Sequence, residues 1–174
     1  MDTLLTLWLR FWAAFILVML AASFLIALTS CANRLSAMRD RPPWEVATVY
    51  YHEEVTYRGK SVSGLTSYKA SPRSAKIDVA TNSGHARAYC VTIHELLHAL
   101  GLRDHGGDTY FDGDGTSDMG LSLDQETVKR LLATMDCDLQ VLHYGAFGDI
   151  LGSAVDFLNA VLAKHDHPYR LVHA

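Results

Sequence analysis

At 174 residues the chain has the length of one domain plus an N-terminal segment, and its formal net charge of −4 lacks the basic field that a nucleic-acid partner requires. Hydrophobic residues make up 49% of it, a figure raised by one apolar run near the N-terminus. Without that run the chain still has enough residues to build a single core.

Phe11 to Leu28 form an 18-residue apolar stretch preceded by Arg10, which fits a signal-peptide core or a short membrane span. The stretch ends in Leu28-Thr29-Ser30-Cys31, which resembles the bacterial lipobox. In that reading, cleavage before Cys31 leaves a lipid-anchored mature N-terminus in the cell envelope, facing the periplasm or exterior. The alternative is an uncleaved single-pass anchor, because Asp2 weakens the basic n-region and Arg34, Arg39 and Arg41 lie beyond the apolar run. That bias also admits a cytoplasmic domain, but the lipoprotein reading is preferred. Arg39-Asp40-Arg41-Pro42-Pro43 reads as a linker, since paired prolines break helix and sheet alike.

From Trp44 to Ser83 the pattern is strand-like. Val46 to Tyr51 is rich in β-branched and aromatic residues, and Val55-Thr56-Tyr57 is followed by a turn at Arg58-Gly59-Lys60. Further strands are expected at Leu65 to Tyr68 and at Ala75 to Ala80, where apolar and polar residues alternate. Asn82 or Ser83 is then the expected cap of a helix from about Ala86 to Leu100, buried through Ile93, Leu96, Leu97 and Leu100. A second helix is expected over Leu123 to Met135, with Val128, Leu131 and Leu132 inward. A third is expected over Phe147 to Ala163, buried through Ile150, Leu151, Ala154, Val155, Leu158 and Leu162. Asp149, Asp156 and Asn159 argue against that last helix crossing a membrane. The strands and helices make the fold class α+β, and the family resemblance carried by the histidine motif below implies a twisted mixed sheet packed on two of these helices.

The most informative segment is His94-Glu95-Leu96-Leu97-His98-Ala99-Leu100-Gly101-Leu102-Arg103-Asp104-His105. Two histidines at i and i+4 sit on one helix face about 6 Å apart along the axis, so their imidazoles can converge on one tetrahedral zinc ion. Glu95, rotated by about 100°, lies beside that ion, placed to take a proton from the attacking water. Gly101 tolerates the left-handed conformation that ends a helix and turns the chain back, which brings Asp104 or His105 into range as a third ligand.

His94, Glu95, His98 and Gly101 together resemble the metzincin zinc peptidases, whose signature is HExxHxxGxxH followed by a methionine turn. Ser117-Asp118-Met119-Gly120 is similar to that turn, which implies Met119 as the apolar floor of the metal site. The chain departs from the pattern at the third ligand. The family's histidine falls three residues after the glycine, at Asp104, as in relatives of the snapalysin kind; His105 is one step late. Register favours Asp104, ligand chemistry favours His105, and adjacent residues in an extended segment point opposite ways. The resemblance also implies a substrate-pairing edge strand just before the helix, here Lys76, Ile77, Asp78 and Val79 within Lys76 to Thr81.

These readings divide the chain into 1–31 (signal peptide with lipobox, or anchor), 32–43 (linker), 44–140 (metallopeptidase core) and 141–174 (C-terminal helix and tail). Asp112, Asp114 and Asp118 in the DGDGxxD run resemble half of a calcium loop, against a solvated acidic loop as the alternative. If Cys31 is lipidated, Cys90 and Cys137 are left as a pair compatible with one disulfide or as two separate thiols. His165, His167 and His173 fall in a short tail read as a loose end. His143-Tyr144 is a candidate oxyanion donor that nothing in the sequence brings to the site. The expected activity is zinc-dependent hydrolysis of peptide bonds by a membrane-tethered enzyme. The rivals are a tethered binding protein with structural zinc and calcium, and a zinc amidohydrolase acting on a non-protein amide.

Overall fold

Small and β-branched residues in Val46-Ala47-Thr48-Val49 make β1 (Val46–His52) the central strand of a sheet. Its Ala47 and Val49 are fully buried on one face, and the alternate positions Thr48 and Tyr50 lie on the other. The computed structural model describes Trp8, Met19 and residues 43–69, 73–103, 110–112 and 121–174. The chain divides into two compact units, Met1–Arg39 and Asp40–Ala174, and the sheet with its helices belongs to the second. Cys31, Asp104, His105, Asp114, Asp118, Met119 and nearly all of the apolar run lie outside the described residues. Among the described residues no helix is long and apolar enough to cross a membrane.

After β1 come β2 (Val55–Tyr57), β3 (Lys60–Val62), β4 (Gly64–Lys69) and β5 (Ser74–Ala80), then α1 (His85–Ala99), α2 (Gln125–Thr134), β6 (Leu139–Tyr144), α3 (Gly148–Lys164) and β7 (Leu171–His173). β2 and β3 form a separate hairpin. Its turn residues Arg58 and Gly59 have φ of 51° and 76°, the paired positive values that match the twist of two-residue hairpins. The five-stranded sheet has the order β4-β5-β1-β6-β7. β4 runs antiparallel to β5, and every other neighbouring pair is parallel.

The expected edge is therefore displaced by one strand. Lys76, Ile77, Asp78 and Val79 lie in β5, which is bonded to β4 on one side and β1 on the other. Ile77 and Val79 are fully buried. Alternation tells which side chains face the core but not which strands flank them, and among the described strands the rim belongs to β4. On the open face Asp78, 8% exposed, accepts from Lys76 Nζ at 2.8 Å and meets His52 Nε2 at 2.8 Å. These partners offset the cost of burying its charge.

The core fills the other face, where α1 touches β4, β5 and α3, and α3 touches β7. Each fully buried leucine in it, such as Leu96, Leu97, Leu151 or Leu158, contributes roughly 2 kcal/mol by transfer out of water. All six inward positions expected for α3 are buried. Leu131 of α2 is fully buried, with Val128 and Leu132 packed half-buried against it. α2 begins later than the expected Leu123, because the Asp124 carboxylate caps it by accepting from Thr127 N at 2.8 Å. Neither Asn82 nor Ser83 caps α1: its N-cap is Gly84 at φ 87°, with no side-chain bond.

The C-terminal third differs most from expectation. Leu139, Val141 and Leu171 are buried and make the strands β6, where no element was expected, and β7, where a loose tail was expected; the expected helix over Phe147 to Ala163 is present as α3. The expected division after residue 140 falls inside β6, and Asp40–Ala174 is one unit. Asn159 holds β7 onto α3, donating from Nδ2 to Leu171 O and accepting from Leu171 N, each at 2.9 Å. Cys90 and Cys137 are not joined to each other, and partial burial raises both thiols above their usual pKa.

Candidate functional site

The site is built on α1. From Val91 to Leu100 every residue is buried except His94 and His98, so the helix opens at two points one turn apart. Ile93, Leu96 and Leu97, fully buried, fix its roll on the sheet. Its end follows from the glycine: Gly101 sits at φ 100°, with Gly101 N donating to His98 O at 3.0 Å and Leu102 N to Leu97 O at 3.1 Å. That pair of bonds is the Schellman closure, and it folds the chain back beside His98.

The two imidazoles stand edge to face, their ring centres 4.9 Å apart. Rings bound through one nitrogen each to a shared tetrahedral zinc have centres about 5 Å apart. His98 Nδ1 lies 2.9 Å from Leu102 O and 3.2 Å from the Tyr110 hydroxyl. The tautomer that donates from Nδ1 to the carbonyl carries its lone pair on Nε2, as a metal-ligating histidine requires. These donors fit a zinc ion. Among the described residues no group of three His, Cys, Asp or Glu converges; both candidates for the third ligand, Asp104 and His105, lie outside them.

Tyr110 carries no signal in the sequence that marks it for this site. It is 1% exposed, its ring centre lies 4.8 Å from that of His94 and 5.5 Å from that of His98, and its hydroxyl donates to Arg103 O at 2.9 Å. That bond ties Arg103 to Tyr110, the two residues flanking 104–109. A second tie flanks 113–120: Phe111 bridges Leu123, with Asp112 N to Ser122 O and Asp124 N to Tyr110 O each 3.0 Å. Asp112, a candidate calcium ligand, accepts from Ser122 Oγ at 3.0 Å.

Glu95 is 6% exposed and faces β4. Thr66 Oγ1 donates to its Oε2 at 2.5 Å and reaches its backbone oxygen at 3.3 Å. One strand step on, Tyr68 OH donates to His98 O at 3.4 Å, and its ring stacks on Trp44 at 5.0 Å between centres. β4 thus runs beside the helix carrying His94, Glu95 and His98, and among the described strands it pairs only with β5. A lone glycine ahead of a Leu-Thr-Ser-Tyr run is the available signal for this contact, but sequence carries no sign of which helix a strand will meet. His143 and Tyr144 lie on β6, separated from β4 by β5 and β1, and do not join the site.

No protein-family model, curated protein or solved structure matches this chain. The chemistry of the site rests on its own residues.

Proposed function

We propose that the chain is a zinc-dependent endopeptidase of the metzincin kind, held at the membrane by its N-terminal segment and acting on peptide bonds in the cell envelope. The observation that carries this reading is the α1 surface, where two half-buried histidines one turn apart flank a buried glutamate facing the sheet rim. His94 and His98 would hold the ion, with Asp104 or His105 as the third ligand and Met119 beneath it. When bound, zinc supplies the charge that polarises a peptide carbonyl and makes water acidic enough to react near neutral pH. Glu95 accepts a proton from the attacking water and delivers it to the departing amine nitrogen. Leu102 O and Tyr110 orient His98, and the outer edge of β4 gives an extended peptide a row of backbone groups to pair with.

The reading is tested by zinc content and peptide cleavage in the full-length protein and four variants. His94→Ala and His98→Ala are expected to lose the metal. Of Asp104→Ala and His105→Ala, the one that loses both zinc and cleavage is the third ligand. A zinc that stays bound in all four variants would contradict the site. Full zinc with no cleavage of any peptide would favour a structural ion in a binding protein.

A further inference from the structure

The rim strand does more at this site than border it. Gly64 and Thr66 lie two residues apart on β4 and so share its helix-facing side, and both meet the same carboxylate. A Cβ built at Gly64 would lie 2.6 Å from Glu95 Oε1, 2.9 Å from Glu95 Cγ and 2.6 Å from Val91 Cγ1, closer than any real methyl approaches. The absence of a side chain at position 64 is thus what admits the carboxylate. Thr66 fixes its rotation, with the hydroxyl donating to Oε2 at 2.5 Å.

We propose that Thr66 is a positioning residue for Glu95, and that Gly64 is the space that lets it act. The inference rests on the proposed reading of Glu95 as the proton-transferring group and adds to it how that group is aimed. The carboxylate is a flexible arm with three side-chain torsions, and a general base must be held within a few tenths of an ångström of its productive geometry. The hydroxyl limits that arm from the strand side. Because the contact comes from β4, the element that would receive an extended peptide also sets the position of the base.

The experiment compares Thr66→Val, which keeps shape and removes the donor, with Thr66→Ser, which keeps the donor, in the zinc-loaded full-length protein. Thr66→Val is expected to lower kcat at least tenfold with KM within twofold of wild type and with zinc content unchanged. Thr66→Ser is expected to stay within threefold of wild type. Gly64→Ala, where a methyl displaces the carboxylate, is expected to lower kcat at least as far as Thr66→Val. In a Glu95→Gln background Thr66→Val is expected to have no further effect on kcat. A readout apart from turnover is the visible spectrum of the cobalt(II)-substituted protein, expected to shift in both Thr66→Val and Glu95→Gln and to stay put in Thr66→Ser.

Wild-type kcat in Thr66→Val, or equal losses in Thr66→Val and Thr66→Ser, would overturn the positioning role while leaving the hydrolase reading intact. Equal activity of wild type and Glu95→Gln would overturn that reading and, with it, the role given to Thr66.

Discussion

The two rims of the sheet are built to opposite ends. At the β4 rim the helix-facing side chains of Thr66 and Tyr68 reach polar atoms of α1, namely the Glu95 carboxylate and the His98 carbonyl. At the β7 rim a three-residue strand is pinned by Asn159, and Asp138 Oδ1 accepts from Arg170 N at 2.8 Å. One rim holds polar atoms of α1 and the other fastens β7 onto α3. A sheet core shared by both lets each be altered with little effect on the other, since distant sites behave additively.

The largest expected separation comes from His98→Ala, which should abolish zinc retention while β7 stays protected from hydrogen exchange. Loss of protection at Leu171 in that variant would show that the rims are not independent. Next in size is Tyr110→Phe, which removes the hydroxyl at 3.2 Å from His98 Nδ1. Zinc affinity measured by competition with a chelator is expected to fall about tenfold, the usual effect of losing a partner behind a metal-ligating histidine. Unchanged affinity would leave Tyr110 as a loop tie alone. At the other rim, Asn159→Ala removes two backbone bonds and is expected to lower unfolding stability by roughly 1–3 kcal/mol, with peptide cleavage unchanged. A parallel loss of kcat would show that the β7 rim is coupled to the β4 rim.

The smallest effect lies on β1, between the rims. Burial holds the Tyr51 phenol up at about 12, against the lowering effect of its hydrogen bond to Thr92 and with a further rise from Asp149. The unfolded phenol ionises near 10, so the folded state keeps its proton after the unfolded state has lost it. Stability from this group is whole below pH 10 and falls as the pH rises from 10 towards 12. At pH 11 the loss is on the order of 1 kcal/mol, and it should be absent in Tyr51→Phe when denaturant midpoints at pH 9 and 11 are compared.

Sequence makes the α1 half of the molecule legible because its signals are local. The histidine spacing, Gly101 and the apolar stripe of Ile93, Leu96 and Leu97 all act within one helix and its closure. The same holds for α3, whose six inward residues follow a helical period. What stays hidden depends on neighbours far along the chain. β5 has the alternation of a half-covered strand whether or not another strand lies beyond it, so nothing in the pattern corrects the edge that the family resemblance places one strand away from β4. β6 and β7 are six and three residues long and parallel to strands distant in sequence, which leaves no hairpin signal to find them by. Thr66 and Tyr110 are ordinary residues until the fold sets them against Glu95 and His98.

The most direct test of the central claim is peptide hydrolysis by zinc-loaded wild type and Glu95→Gln, with metal content measured in the same samples. Equal zinc is expected in both, with a loss of at least a thousandfold in kcat/KM in the variant. Equal cleavage by the two proteins would contradict the claim.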